Sequence, residues 1–334
     1  MTSNNIVGEA KNNNIRVLVT AIGTVNGGAV VDELHKYSED RIYVIGANST
    51  PAYCTVTSKY VDEFYVFPSV LDDTDRYLNF LLEFCIEHMI THIICFIDEE
   101  VELLTRNRQL FIDKGIILCL ADHSTVFTCH YKDIFSKWVK ENLPAVWIKE
   151  YTNYSDISNI VFPVFVKPIE GRASLGCQTI NSKQEYVQKM EETNRFSGYI
   201  VQEKITGDIV GVDVIRNRKY NQLVIVQKKE LMRNSNGCGT VVEIIDNKEI
   251  NEICVSLAEK LDLNGLINVE FFLSESGPKI IEINPRLPAG TSYSCLAGAN
   301  TVINTLLIAE GKPCEFDKIK IGAKYARRYE TYEM

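Results

Sequence analysis

The run "KIIEINPRLPAG" at residues 279–290 sets Glu282, Asn284 and Arg286 at alternate positions along an otherwise apolar strand. Upstream, "GLINVEFFLS" at 265–274 carries Asn268 and Glu270 with the same spacing of two. Between the two runs, "SESGP" reads as a hairpin loop. With antiparallel pairing centred on residue 276, Glu270 faces Glu282 and Asn268 faces Asn284. The strand period then puts all four oxygen-bearing side chains on one face, with Ile281 and Ile283 on the other. Two carboxylates directly across a ladder stand about 5 Å apart and repel, so they need a shared proton or a shared cation. Oxygen ligands with no His or Cys beside them suit Mg²⁺, which is held by one or two carboxylates together with substrate phosphates. The alternative is a one-residue slip in register that turns one glutamate to solvent beside a lysine. Spacing alone leaves both open.

Three further stretches have residue types suited to a ligand. In "FVKPIEGRASLGCQTI" (165–180), a strand carries Lys167, Pro168 stops it, and Gly171 and Gly176 bracket a loop. The glycine spacing copies a Walker loop, but Cys177 and Gln178 stand where Lys and Ser/Thr are required, so that motif is absent. What is left is either a loop that aims backbone N–H groups at phosphate or a plain hairpin connection. In "YIVQEKITGDIVGVD" (199–213), a strand meets a polar turn, which offers the backbone of 202–205 to a crevice or simply makes an edge strand. Asp98 and Glu99 end a strand, where open parallel sheets place ligand crevices and where helix caps also fall. The glycines of "TAIGTVNGGAV" miss the GxGxxG spacing of dinucleotide sites and read as a tight strand–helix turn.

These stretches sit on a chain whose first third alternates strands (15–23, 41–47, 91–98, 116–122) with helices, including a strongly periodic one at 74–89. That alternation predicts a parallel sheet with helices on both faces. A helix follows at 131–143; from 160 to 290 strands dominate, with one helix at 251–263, and another helix closes the chain at 301–311. The polar segment 1–14 reads as a disordered tail rather than a signal peptide. No apolar run approaches membrane-spanning length. A net charge of −9 argues against a general nucleic-acid or anionic-membrane binder. The ten cysteines show no CxxC pair and sit mostly in apolar strings, as expected of reduced thiols in a cytoplasmic protein.

Taken in order, "YKDIFSKWVKENLPA", "VFVKP" with "EGRASLG", "VQEKI", and "NVEFFL" with "IIEINPR" resemble the ATP-grasp superfamily, and within it the ATP-binding unit of the carbamoyl phosphate synthetase large chain and its stand-alone relatives. The resemblance covers roughly 15–330 and implies a fold class and domain plan. An N-terminal parallel-sheet α/β domain (15–122) precedes a two-lobed α+β ATP-grasp domain (123–334), with a small lobe at about 155–203 and a C-terminal lobe at about 204–334. It also implies roles. Lys132 and Lys167 contact ATP phosphates, with Lys167 also near the adenine; Ser174 and Gly176 belong to a loop closing on the β- and γ-phosphates; Gln202, Glu203 and Ile205 line the adenine site. Glu270, Glu282 and Asn284 hold one or two Mg²⁺ ions, with Mn²⁺ an alternative, and Arg286 faces the transferred phosphoryl group. Asp208 or Asp213 stands where relatives keep a ribose-binding glutamate. Lys228, Lys229 and Arg233 fall where relatives present basic residues to substrate, although Lys228 and Lys229 alternate and cannot both point inward. Arg172 departs from the small residues usual in the glycine loop.

The implied activity is ATP-dependent ligation of a small-molecule carboxylate to an amine through an acyl phosphate. Alternatives are a thiol acceptor, carbamoyl phosphate synthetase-like chemistry, and a non-catalytic ATP-binding module. A homodimer and a carrier-protein partner stay open. The stretch 287–300, with its small residues and Tyr293, is expected to line the acceptor pocket.

Overall fold

The computed structural model describes residues 15–37, 42–152, 156–169, 175–235 and 237–334. Short buried strands first alternate with amphipathic helices: β1 (Arg16–Val19), α1 (Gly27–Lys36), β2 (Tyr43–Asn48), β3 (Glu63–Val66), α2 (Thr74–Glu87), β4 (His92–Ile94), α3 (Asp98–Arg106), α4 (Arg108–Ile112) and β5 (Ile117–Leu118). The strands form one parallel sheet in the order β3-β2-β1-β4-β5. Asp73 caps α2 by accepting a hydrogen bond from the Arg76 N–H, which satisfies one of the orphan donors at a helix start. The edge strand β3 was not among the expected elements; its residues are half-buried or exposed and carry no apolar alternation.

Helices α5 (His123–His130) and α6 (Lys132–Asn142) lead into β6 (Val164–Pro168), β7 (Gln178–Ile180), α7 (Lys183–Glu192) and β8 (Tyr199–Glu203). These strands make a small antiparallel sheet ordered β7-β6-β8. The chain then builds β9 (Asp208–Asn217), β10 (Gln222–Arg233), β11 (Gly239–Ile245), α8 (Lys248–Lys260), β12 (Gly265–Ser274), β13 (Gly277–Asn284), α9 (Thr291–Ala297), α10 (Thr301–Ala309) and β14 (Lys324–Ala326). Their strands form a six-stranded antiparallel sheet ordered β13-β12-β9-β10-β11-β14. The fold is therefore a parallel-sheet α/β unit followed by an α+β unit of two antiparallel sheets. Residues 1–14 lie outside the described residues, and no described helix is long and apolar enough to cross a membrane.

The cores do not follow the three sheets one to one. Leu18 and Ile45 of the parallel sheet share a buried cluster with Val212, Val214, Ile267 and Val269 of the six-stranded sheet. A second cluster joins Val17 and Val30 to Ile303 and Leu306 of α10. The small sheet packs separately, around Val164, Val166, Ile180, Tyr186 and Val201.

The β12–β13 hairpin has the expected pairs, Asn268 with Asn284 and Glu270 with Glu282. Its turn is tighter than expected. Ser274 pairs with Gly277, so only residues 275 and 276 form the loop, and the extra residue is absorbed by a register shift after Glu270. Ile281 occupies this bulge. Ile281 and Ile283, expected together on the face opposite the acids, differ in burial: Ile281 in the bulge is half-buried, while Ile280 and Ile283 are buried, and all three line the cavity described below. A bulge bends the strand and re-aims its residues.

Candidate functional site

A cavity of about 530 Å³ opens between the small sheet and the six-stranded sheet. Lys167, on β6, enters its wall from the small sheet and is only 7% exposed. Its ammonium donates to the carbonyl of the bulged Ile281 at 3.3 Å, bonding across the two sheets. Burial pushes the Lys167 pKa below the usual lysine range, with Glu282 opposing and Lys132 adding to the shift. Lys132, the first residue of α6, also lines the cavity, and its Nζ lies 3.4 Å from the Ile169 carbonyl. The backbone at Gly176 is left-handed (φ +76°), and a Cβ there would meet Pro168 Cγ at 2.9 Å. Glycine is thus required where the loop rejoins β7. Its neighbours Leu175 and Cys177 line the cavity; Ser174 lies outside the described residues.

One end of the cavity is apolar and backbone-rich. Ile148, Gln202, Glu203 and Ile205 line it. The Gln202 amide donates to Glu150 at 3.1 Å, and the backbone N–H groups of Glu203 and Lys204 bond the carbonyls of Lys149 and Pro163. Glu150 and Ile148 were not among the expected site residues, because nothing in "VWIKEY" distinguishes them from an ordinary connecting segment.

At the other end, Glu270, Glu282, Asn268 and Asn284 face the cavity together with Arg233 and Arg286. Burial, and then the neighbouring Glu282, push the Glu270 pKa up to about 7, against the pull of Arg233. The Arg233 guanidinium contacts Glu270 at 3.0 Å and Glu230 at 3.0 Å. Two carboxylates paired across the ladder, with burial and the neighbouring charge disfavouring ionisation of one, form a site that favours a cation. Among the described residues no three His, Cys, Asp or Glu side chains cluster as a metal set; the donors here are two carboxylates and two side-chain amides. That hard oxygen set fits Mg²⁺, with Glu270, Glu282 and Asn284 as the residues to hold it.

Asp208 and Asp213 do not line the cavity. Asp213 is fully buried and accepts from the Lys228 ammonium, from Ser294 Oγ at 2.6 Å and from the Asn268 amide at 2.8 Å. Asp208 pairs with Lys229 at 2.5 Å on the outer part of β9 and β10. The expectation that either acid meets a ribose is corrected on this placement: one is consumed by an internal ion pair and the other faces away. Lys228 and Lys229 do alternate, Lys228 turning inward onto Asp213 and Lys229 outward. Tyr293, on α9, lines the cavity and donates to the carbonyls of Gly239 and Thr240.

Arg286 follows β13 and meets Asp98 head-on: Nε donates to Oδ1 at 2.6 Å and Nη2 to Oδ2 at 2.9 Å. Nη2 also reaches Asn284 Oδ1 at 3.3 Å. The position of Asp98 after its strand was a visible signal; its partner, 188 residues away, was not.

A family profile described as "ATP-grasp domain" matches residues 129–290, and one described as "PylC-like, N-terminal domain" matches 17–119. The vancomycin/teicoplanin A-type resistance protein VanA of Enterococcus faecium is 27% identical over 169 residues, covering 45% of this chain and 49% of that protein. The 3-methyl-D-ornithine–L-lysine ligase of Methanosarcina mazei is 29% identical over 129 residues, covering 39% of this chain and 33% of that protein. The chain thus spans between about a third and just over half the length of the curated relatives it matches. Among solved structures, the biotin carboxylase domain of the Hydrogenobacter thermophilus 2-oxoglutarate carboxylase superposes with a TM-score of 0.72 at 18% identity, covering 92% of this chain and 73% of that one.

Proposed function

Because this chain belongs to the ATP-grasp superfamily, we propose that it is an ATP- and Mg²⁺-dependent carboxylate–amine ligase that works through an acyl phosphate and releases ADP and phosphate. The observation that carries this reading is the convergence of Lys167, Glu270, Glu282 and Arg286 on one cavity. A pure nucleotide binder has no need of an arginine beyond the carboxylate pair. VanA and the methylornithine–lysine ligase support the reading as similar proteins, the latter being named as an amino-acid ligase.

In this mechanism the adenine occupies the apolar end, against Ile148, Gln202 and Ile205. Lys132 and Lys167 bind the phosphates, with Lys167 held in register by the Ile281 carbonyl. A carboxylate oxygen of the substrate attacks the γ-phosphorus and the bond to the β-phosphate oxygen breaks, giving an acyl phosphate and ADP. An amine nitrogen then attacks the acyl carbon, phosphate leaves, and the amine loses a proton. Arg286 and Arg233 spread negative charge on the phosphoryl oxygens, and Mg²⁺ held by Glu270, Glu282 and Asn284 supplies further charge neutralisation when bound. The low-dielectric walls strengthen each of these interactions. No covalent bond to the protein is needed.

The test is ADP release from the purified chain against a panel of amino-acid carboxylates with amine acceptors. Release that requires both partners is expected, and Glu282→Gln or Arg286→Ala should reduce it by about 100-fold or more with the melting temperature retained. Binding of ATP with no turnover under any pairing, or unchanged ADP release from either variant, would overturn the reading. Release that requires a thiol in place of the amine would overturn the choice of acceptor.

A further inference from the structure

We infer that Asp98, contributed by helix α3 of the N-terminal parallel-sheet unit, is the positioning residue that fixes Arg286 in the phosphoryl site. This rests on the proposed reading, in which Arg286 faces the transferred phosphoryl group. The arginine follows the last strand of the hairpin, on the bend at 285–286 rather than within a ladder. A long side chain at such a place has several rotatable bonds, and a bidentate carboxylate removes that freedom. Asp98 takes the Nε and Nη2 edge at 2.6 and 2.9 Å, and Asn284 meets Nη2 at 3.3 Å. Among the described residues, Nη1 has no hydrogen-bond partner, and Arg286 lines the cavity. The planar guanidinium is therefore clamped along one edge and presents the other.

Asp98 is itself firmly held. It is the first residue of α3, where the helix dipole favours a carboxylate. Two residues on, Glu100 is buried and accepts from Thr20 Oγ1 at 2.7 Å and from the Tyr77 hydroxyl at 2.5 Å, seating α3 on β1 and α2. The parallel sheet and the six-stranded sheet share a core, so the two ends of the Asp98–Arg286 pair are carried by elements packed in one body. The parallel-sheet unit thus contributes directly to the cavity wall, through Asp98 and its neighbour Glu99.

The experiment needs no knowledge of the natural substrate. Calorimetric titration with Mg·AMP-PNP and with Mg·ADP isolates the γ-phosphoryl contribution as the ratio of the two affinities. The unaltered chain is expected to prefer AMP-PNP. Arg286→Ala should remove that preference, and Asp98→Ala should reduce it by about tenfold, the scale of one charge-assisted hydrogen bond. The ADP affinity should stay unchanged in both, which a general loss of structure would not allow. Asp98→Asn keeps the shape and one acceptor oxygen, so it should fall between the two and carries the test if the alanine variant does not fold. In the Arg286→Ala background, Asp98→Ala should cause no further change, because the two act as a unit. An undiminished preference in the Asp98 variants, an equal loss of ADP affinity, or an additive double variant would each overturn the inference while leaving the ligase reading intact. A preference that Arg286→Ala leaves intact would instead overturn the phosphoryl-facing role of Arg286, and the inference with it.

Discussion

Replacing Glu100 by glutamine tests how helix α3 is seated, and through it how Asp98 is presented. Glu100 is 1% exposed, and its two carboxylate oxygens accept from Thr20 and Tyr77. Burial raises its pKa from 4.5 to about 7, while the two hydrogen bonds hold it down. A carboxyl group whose folded pKa lies above its unfolded one binds its proton more tightly when folded. The resulting stabilisation is complete below about pH 4.5, fades as pH rises, and is gone above about pH 7. At 1.36 kcal/mol per pH unit, the gap between the two values corresponds to about 3 kcal/mol. Urea unfolding followed by the fluorescence of Trp138 and Trp147 reads this directly. Comparing Glu100→Gln with the unaltered chain from about pH 5 to about pH 8 cancels every titration the two share. The difference in unfolding free energy should drift by about 2.5 kcal/mol in favour of the glutamine variant across that range. A difference that stays constant with pH would refute the argument, since it would mean that Glu100 titrates alike in the folded and unfolded chains.

Two further substitutions follow from the geometry. Gly176→Ala forces a Cβ onto a left-handed backbone and to within 2.9 Å of Pro168 Cγ; a loss of about 1–2 kcal/mol is expected, and an unchanged urea midpoint would show that the loop rejoins β7 in another conformation. Asp213→Ala leaves the Lys228 ammonium buried without its counter-charge and should cost about 3–5 kcal/mol. The double variant Asp213→Leu/Lys228→Met should cost less than Asp213→Ala alone, and a double variant that is worse in urea titration would argue that the pair is not an isolated buried unit.

Much of the site was legible because a strand period of two and one turn are enough to pair Glu270 with Glu282. The bulge at Ile281 was not, since "KIIEIN" looks regular and only the shorter turn forces an extra residue into β13. Helix α7 was missed because it is almost wholly polar, with Tyr186 alone buried. Helix α9 was read as a pocket wall; its Ser, Cys and Ala residues make no apolar stripe, yet Gly298 ends it in a left-handed cap. Asp213 was misread for a different reason. An acid in "VGVDV" can face a cavity or a neighbouring strand equally well, and only the arrival of Lys228, Asn268 and Ser294 from β10, β12 and α9 decides it. The Asp98–Arg286 pair joins the start of α3 to the segment after β13 across 188 residues, beyond anything a local pattern encodes.

The division of the core gives these contacts different standing. The six-stranded sheet and the parallel sheet share buried side chains, so Glu270, Glu282, Arg286 and Asp98 belong to one packed body and keep their mutual geometry. The small sheet packs on its own cluster, and Lys167 and Gln202 travel with it. The Lys167–Ile281 hydrogen bond crosses that seam and ends on the residue that occupies the bulge. A tilt of the small sheet would therefore move Lys167 and Gln202, proposed to contact the nucleotide, relative to the groups proposed to act on the phosphoryl group. Close-packed interiors resist deformation, whereas this seam is crossed by side-chain-to-carbonyl hydrogen bonds from Lys167 and Lys132.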